Sequence, residues 1–92
     1  MKVAEGPSVG KDWSVYILRC SDTSLYTGVA KDVEERLEKH NRGKAAVYTR
    51  TRRPVRLLYR ETSLTRSQAL LREAQIKSWP RSKKLRFLKS SE

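Results

Sequence analysis

Apolar positions along the chain change period several times, and each change marks an element. Trp13-Ser-Val-Tyr-Ile-Leu-Arg-Cys20 is rich in β-branched and aromatic side chains and ends at the polar cluster Ser21-Asp22-Thr23-Ser24. That composition predicts a strand. Leu25-Tyr-Thr-Gly-Val29 predicts a second strand, joined to the first as a hairpin through the polar cluster. Gly28 inside it permits close approach of another backbone or a ligand. Asp32-Val-Glu-Glu35 has the form of a capping box, so a helix should start there and run to about Asn41-Arg42, with Gly43 as its C′ residue. Residues 43–53 read as a basic loop. Pro54 to Glu61 predicts a third strand, on an edge because Pro54 lacks a donor and Arg56 and Arg60 read as exposed. Thr65-Arg-Ser-Gln68 is a second capping box, opening a helix through about Ser78. Pro80 is expected as the first residue of a last short helix to about Leu88. The order is β-β-α-β-α-α: an α+β domain at 13–89 with a small three-stranded antiparallel sheet flanked by helices. Residues 1–12 carry Gly6, Pro7 and Gly10 without periodicity and read as a flexible N-terminal arm.

Length and composition narrow the possibilities. A chain of 92 residues that is 37% hydrophobic holds one domain with a small core. Its one cysteine, Cys20, has no intrachain disulfide partner, and with a single histidine there is no Cys/His zinc site. Cys20 is expected as a small packed residue. No apolar run approaches the roughly 18 residues of a membrane span, and residues 1–12 lack a secretory apolar stretch. A soluble cytoplasmic protein, away from any membrane, is expected.

Charge adds direction. The formal net charge is +11, from 21 basic and 10 acidic residues. Residues 39–60 hold eight basic side chains and no acidic one, and residues 77–89 hold six more, again without a carboxylate. Two acid-free blocks in so small a domain favour a polyanionic partner, nucleic acid first. A solvated basic face that keeps the protein soluble is the plainer alternative. An anionic membrane surface fits less well, because neither block has a large apolar face.

Individual residues suggest chemistry without settling it. At about 100° per residue, Val33 and Leu37 share a helix stripe with Arg36 and His40 on or beside it. A snorkelling arginine and a half-buried histidine would give the same pattern. In the next helix Leu70, Ala74 and Lys77 share a face, flanked by Glu73, the only acidic residue of that helix. Glu73 is therefore either salt-bridged or available to a divalent cation. Tyr16 and Tyr26 lie on the two hairpin strands, where tyrosine is also ordinary packing; facing the same side, their phenols would converge near Arg36 and His40.

Taken together, these residues resemble a known set. Val15-Tyr16-Ile17 followed by Tyr26-Thr27-Gly28 is similar to the paired motif of the GIY-YIG nuclease superfamily. Arg36, His40, Asn41 and Glu73 stand at matching positions. The stretch from Val15 to Leu88, about four-fifths of the chain, resembles the small stand-alone bacterial single-domain members. The similar runs include Lys44-Ala-Ala-Val-Tyr-Thr-Arg, Arg53-Pro-Val-Arg-Leu-Leu-Tyr and Arg72-Glu-Ala-Gln-Ile-Lys. The first motif lacks its glycine, and Thr27 replaces an isoleucine in the second. A late asparagine found in many members is missing too, since Asn41 is the only one present. The chain has no room for separate DNA-recognition domains, so cutting directed by structure rather than sequence is expected.

The resemblance implies a fold, a reaction and a site. The reaction is metal-dependent hydrolysis of DNA phosphodiesters by an endonuclease, in DNA repair or processing. One divalent metal ion, Mg²⁺ or Mn²⁺, would be held by Glu73, since Mg²⁺ accepts a single protein carboxylate and completes its shell with water and phosphate. Arg36 would hold the scissile phosphate. Tyr16 or Tyr26 would orient or deprotonate the attacking water, with His40 and Lys31 as helpers and Gly28, Asn41 and Tyr48 in support. Arg42, Lys44, Arg50, Arg52, Arg53, Lys77, Lys83 and Lys84 would contact phosphates without reading bases. The oligomeric state is open, and a monomer that nicks one strand is the simpler expectation. Two other classes stay in view: a non-catalytic nucleic-acid-binding module keeping the same fold, and a basic accessory protein of structured RNA or the ribosome.

Overall fold

A computed structural model describes residues 10–91; most of the expected N-terminal arm, residues 1–9, lies outside them. Three strands form one antiparallel sheet in the order β2-β1-β3, where β1 is Trp13–Arg19, β2 is Leu25–Ala30 and β3 is Arg56–Leu64. Strand β1 takes the centre because it is apolar on both faces: Ser14 through Leu18 are all buried. Strand β3 alternates exposed and half-buried residues and lies at an edge, as its arginines predicted. It starts after Pro54 and runs three residues past the expected end at Glu61. The polar Glu61-Thr62-Ser63 reads as a turn, but a bulge with Ser63 at φ 63° carries the strand on until Leu64 meets Trp13.

Four helices follow the sheet's logic: α1 (Val33–Asn41), α2 (Val47–Arg50), α3 (Arg66–Lys77) and α4 (Arg81–Ser90). Asp32 accepts from the Glu35 amide at 3.0 Å, one half of the expected capping box at α1. The far end closes as a Schellman motif: Gly43, at φ 75°, donates to the His40 carbonyl, and Lys44 donates to that of Lys39. Both bonds of the Thr65/Gln68 box are made at α3. Helix α2 is a single turn inside the expected loop, too short for periodicity to reveal. Pro80 is the N-cap of α4 rather than its first helical residue, since its ψ of 158° is extended.

The alternation of β1 divides the core in two. Tyr16 and Leu18 face α1 with Cys20, Ala30, Val33 and Val55, and Leu37 packs against this cluster. Val15 and Ile17 face α3 and α4, meeting Ile76, Trp79 and Phe87. Cys20 is a buried free thiol, as expected. The buried positions of α3 are Ala69 and Ile76, not the Leu70-Ala74-Lys77 face read from the sequence; Leu71 is 73% exposed. The helix is turned by about one residue, because Ile76 fills the space against Val15 and Ile17. This rotation moves Glu73 onto the inward stripe, four residues from Ala69 and three from Ile76.

Candidate active site

Strand pairing and one helix stripe bring the motif residues together. In the β1–β2 register Tyr16 faces Gly28 and Leu18 faces Tyr26, so both phenols lie on the α1 side of the sheet. From α1, His40 enters the same space and is 1% exposed. The Tyr16 and Tyr26 ring centres are 6.5 Å apart, and those of Tyr26 and His40 are 5.1 Å apart. The sequence leaves open whether the two phenols share a face; the strand register puts both on one side, beside His40. Gly28 is required by the close approach of a side chain rather than a backbone. A Cβ there would stand 2.5 Å from the Tyr16 hydroxyl oxygen and 2.7 Å from its Cζ.

His40 is bonded on both sides. Its Nε2 is 2.9 Å from the Tyr16 hydroxyl, and its Nδ1 is 2.7 Å from Thr49 Oγ1. Thr49 Oγ1 also lies 3.3 Å from the Ala46 carbonyl, which can only accept, so the hydroxyl proton points there. The network therefore assigns the proton of neutral His40 to Nδ1, donating to Thr49. Nε2 is left as an acceptor, and Tyr16 donates to it. Thr49 is fully buried at one-turn α2 and was missed in the sequence, where it sits in an apparent loop.

The electrostatics hold this proton on the phenol. Burial pushes the Tyr16 pKa well up, Tyr26 and Glu73 add to the rise, and the adjacent Arg36 guanidinium opposes it. Burial pushes the His40 pKa down, and repulsion by Arg36 adds to that. Arg36 thus lies near both groups; it is half-buried and pairs with no carboxylate among the described residues. Glu73 reaches the site's edge from α3, where it pairs with Lys77 at 3.2 Å with its side chain only 20% exposed.

The mouth lies at the free edge of β2. Tyr48 stacks on Tyr26 at 6.0 Å between ring centres, and Arg52 covers the Tyr48 ring at 4.0 Å. Lys77 and Lys84 complete an opening of about 290 Å³ with Leu25, Tyr26, Thr27 and Tyr48. Several other expected site residues do different work. Lys31 pairs with Asp12 and lies over Trp13, outside the aromatic cluster. Asn41 clamps the backbone of Val55, accepting from its amide at 2.7 Å and donating to its carbonyl at 2.9 Å. Arg52 donates to Asp22 and to the Tyr48 carbonyl, tying α2 to the hairpin turn. Arg53 donates to the Arg50 and Asn41 carbonyls. Arg42 pairs with Glu38, and Lys83 lies over Trp79. Lys44 and Arg50 line a second opening beside Val47.

The donors present suit a loosely held divalent cation. Among the described residues no three His, Cys, Asp or Glu side chains gather as a metal cluster. Glu73 supplies one carboxylate, and the lysine that pairs with it, Lys77, lines the open mouth. That donor set matches an ion whose remaining positions are water and phosphate oxygens. No helix among the described residues is long and apolar enough to cross a membrane.

Comparison with known proteins agrees with this geometry. Residues 12–86 match the family model described as the GIY-YIG catalytic domain. UPF0213 proteins of Staphylococcus aureus strains Mu3 and Mu50 are each 61% identical over 75 residues, covering 82% of this chain and 92% of theirs. The solution NMR structure of a UPF0213 protein from Bacillus halodurans is 40% identical, with a TM-score of 0.55 over 84% of this chain and 82% of that one. Motif register, buried histidine and matched length lead to one conclusion: the chain belongs to the GIY-YIG family.

Proposed function

We propose that residues 13–89 form the nuclease domain of a cytoplasmic, metal-dependent endonuclease that hydrolyses DNA phosphodiester bonds and selects substrate by structure. The observation that carries this reading is the buried Thr49–His40–Tyr16 chain, which gives one phenol a built-in proton acceptor beside the Arg36 guanidinium, unpaired among the described residues. An unperturbed phenol is a poor base near neutral pH. Tyr16 acts as a base only once its proton, held on the phenol at rest, has passed to His40 Nε2. Arg36 stabilises the phenolate so formed, while burial of both rings opposes the transfer. The phenolate then takes a proton from water, the water oxygen attacks phosphorus, and the P–O bond to the leaving strand breaks. Tyr26, between Tyr16 and the mouth, orients that water. Arg36 binds the non-bridging oxygens in a two-pronged contact. A divalent ion held by Glu73 would supply Lewis-acid stabilisation of the leaving oxygen when bound. Lys77 and Lys84 at the mouth hold the flanking backbone, giving the salt-dependent part of binding. DNA repair or processing is the setting such cutting serves.

The test is incubation of supercoiled, branched and single-stranded DNA with wild type, Glu73→Gln and Arg36→Ala, with and without Mg²⁺. Metal-dependent nicking by wild type, lost in both variants while DNA binding persists, is the expected result. Identical products from all three proteins would remove the catalytic assignment and leave a nucleic-acid-binding module.

A further inference from the structure

A basic groove on the other face of the sheet shares one wall residue, Leu25, with the tyrosine mouth. In the β1–β3 register Arg19 stands directly opposite Arg56, so two cations are cross-strand neighbours. Like charges in that position destabilise a sheet. Neither is paired with a carboxylate among the described residues. Their row begins with Leu25, the partner of Arg19 on β2, which packs on the α4 side. Arg81 and Lys89 of α4 close the groove, whose volume is about 480 Å³ and whose lining has no acidic side chain. Arg81 is held in place by donating to the carbonyl of Thr23 in the hairpin turn at 2.9 Å, and it pairs with no carboxylate among the described residues.

Leu25 lines both openings. The mouth is bounded by Leu25, Tyr26, Lys77 and Lys84 at the free edge of β2, and the groove continues from Leu25 along α4. A chain passing from one to the other must turn around the edge of the sheet. Duplex DNA, stiff over about 150 base pairs, resists such a turn, whereas a single strand follows it. The groove's floor is leucine, including the exposed Leu58 and Leu85, with no aromatic platform, so it suits phosphates and sugars rather than stacked bases.

We infer that the Arg19–Arg56–Arg81–Lys89 groove is a binding site for the single-stranded arm of a nucleic acid whose junction lies at the Tyr26–Tyr48 mouth. This rests on the nuclease reading for the location of the junction, and it gives that reading a substrate class: DNA with a single-stranded tail. It also accounts for the Arg19–Arg56 pair, whose repulsion an arm's phosphate relieves.

The experiment measures binding without metal, so it does not depend on cleavage. Fluorescein-labelled duplex bearing an oligo-dT tail and blunt duplex of the same length are titrated by anisotropy over a salt series. Wild type is compared with Arg19→Gln/Arg56→Gln and with a charge-matched control, Lys11→Gln/Arg66→Gln, at the Trp13 end of the sheet. Loss of two single-strand phosphate contacts should lower the salt slope for tailed DNA by about 1.4 and its affinity at low salt by about tenfold. Blunt duplex should change little, and the control should keep the tail preference. Melting of the Arg19→Gln/Arg56→Gln variant should occur at or above the wild-type temperature, since a like-charge pair is removed. Equal losses on tailed and blunt DNA, or the same loss in the control, would overturn the arm site, as would a lower melting temperature in the variant. A wild type that prefers tailed DNA yet cuts nothing would overturn the nuclease reading and leave this site standing.

Discussion

Replacing Gly28 with alanine tests the site at its tightest contact. The added Cβ would meet the Tyr16 hydroxyl at 2.5 Å, Cζ at 2.7 Å and Tyr26 Cε2 at 3.1 Å, against ordinary contact from about 3.4 Å. The phenol must therefore move by about 0.9 Å or the β1–β2 pair must open. Tyr16 is 1% exposed and backed by the equally buried His40, so there is little free space to move into. Overpacking of this kind costs about 1–3 kcal/mol. At about 4–8 °C per kcal/mol for a domain of this size, the melting temperature should fall by roughly 5–20 °C. A displacement near 1 Å at a reacting group costs about 100-fold in rate. Nicking of supercoiled DNA below both melting temperatures should therefore drop by about that factor, while binding without metal stays near wild type. Tyr16→Phe in the same background removes the nearest atom but leaves Cζ at 2.7 Å, so it restores only part of the stability. A Gly28→Ala protein that melts within 2 °C of wild type and nicks within about twofold would refute this account of the Tyr16–Gly28 contact.

Two further outcomes follow from the hydrogen bonds around His40 and Asn41. Asn41→Ala removes both bonds to Val55, whose residue is 4% exposed, and should cost about 2–3 kcal/mol in urea unfolding; a loss of nicking at unchanged stability would instead place Asn41 in the chemistry. His40 is held below its ordinary pKa, so between that depressed value and about 6.5 the unfolded chain binds more protons than the folded one. Stability attached to His40 is thus complete above about pH 6.5 and is lost as the pH falls toward the folded value. Melting curves of wild type should show this decline and those of His40→Gln should not; parallel pH dependence in the two would contradict the buried neutral imidazole.

Much of the site was legible because its parts obey local rules. Val33, Arg36, Leu37 and His40 fall on one stripe by helical spacing alone, and the two capping residues mark where the stripes begin. Tyr16 and Tyr26 could be placed on the two hairpin strands, whereas the pairing register that sets both phenols on one face came from the structure. Thr49 escaped notice because a one-turn helix has too few residues to show a period. Asn41, matched by position to the family motif, faces Val55 instead of the phenols, and motif position carries no information about which way a short amide turns. The Leu70-Ala74-Lys77 face predicted for α3 is one residue out of register, because Leu70 looks like core while Ala69 is small enough to lie against the sheet.

What the sequence determined by itself was the inventory and its local geometry: strands, caps, two acid-free basic blocks and an ordered set of motif residues. These depend on neighbours within a few positions, where backbone sterics and side-chain spacing dominate. Tertiary structure alone decided which atoms meet. It set Tyr16 against His40 and Gly28, employed Arg52 and Arg53 as braces rather than free phosphate ligands, and placed Arg19 beside Arg56. Such meetings join residues up to 37 positions apart in the chain, and they are selected by the packing of the two sheet faces, to which the whole fold contributes at once.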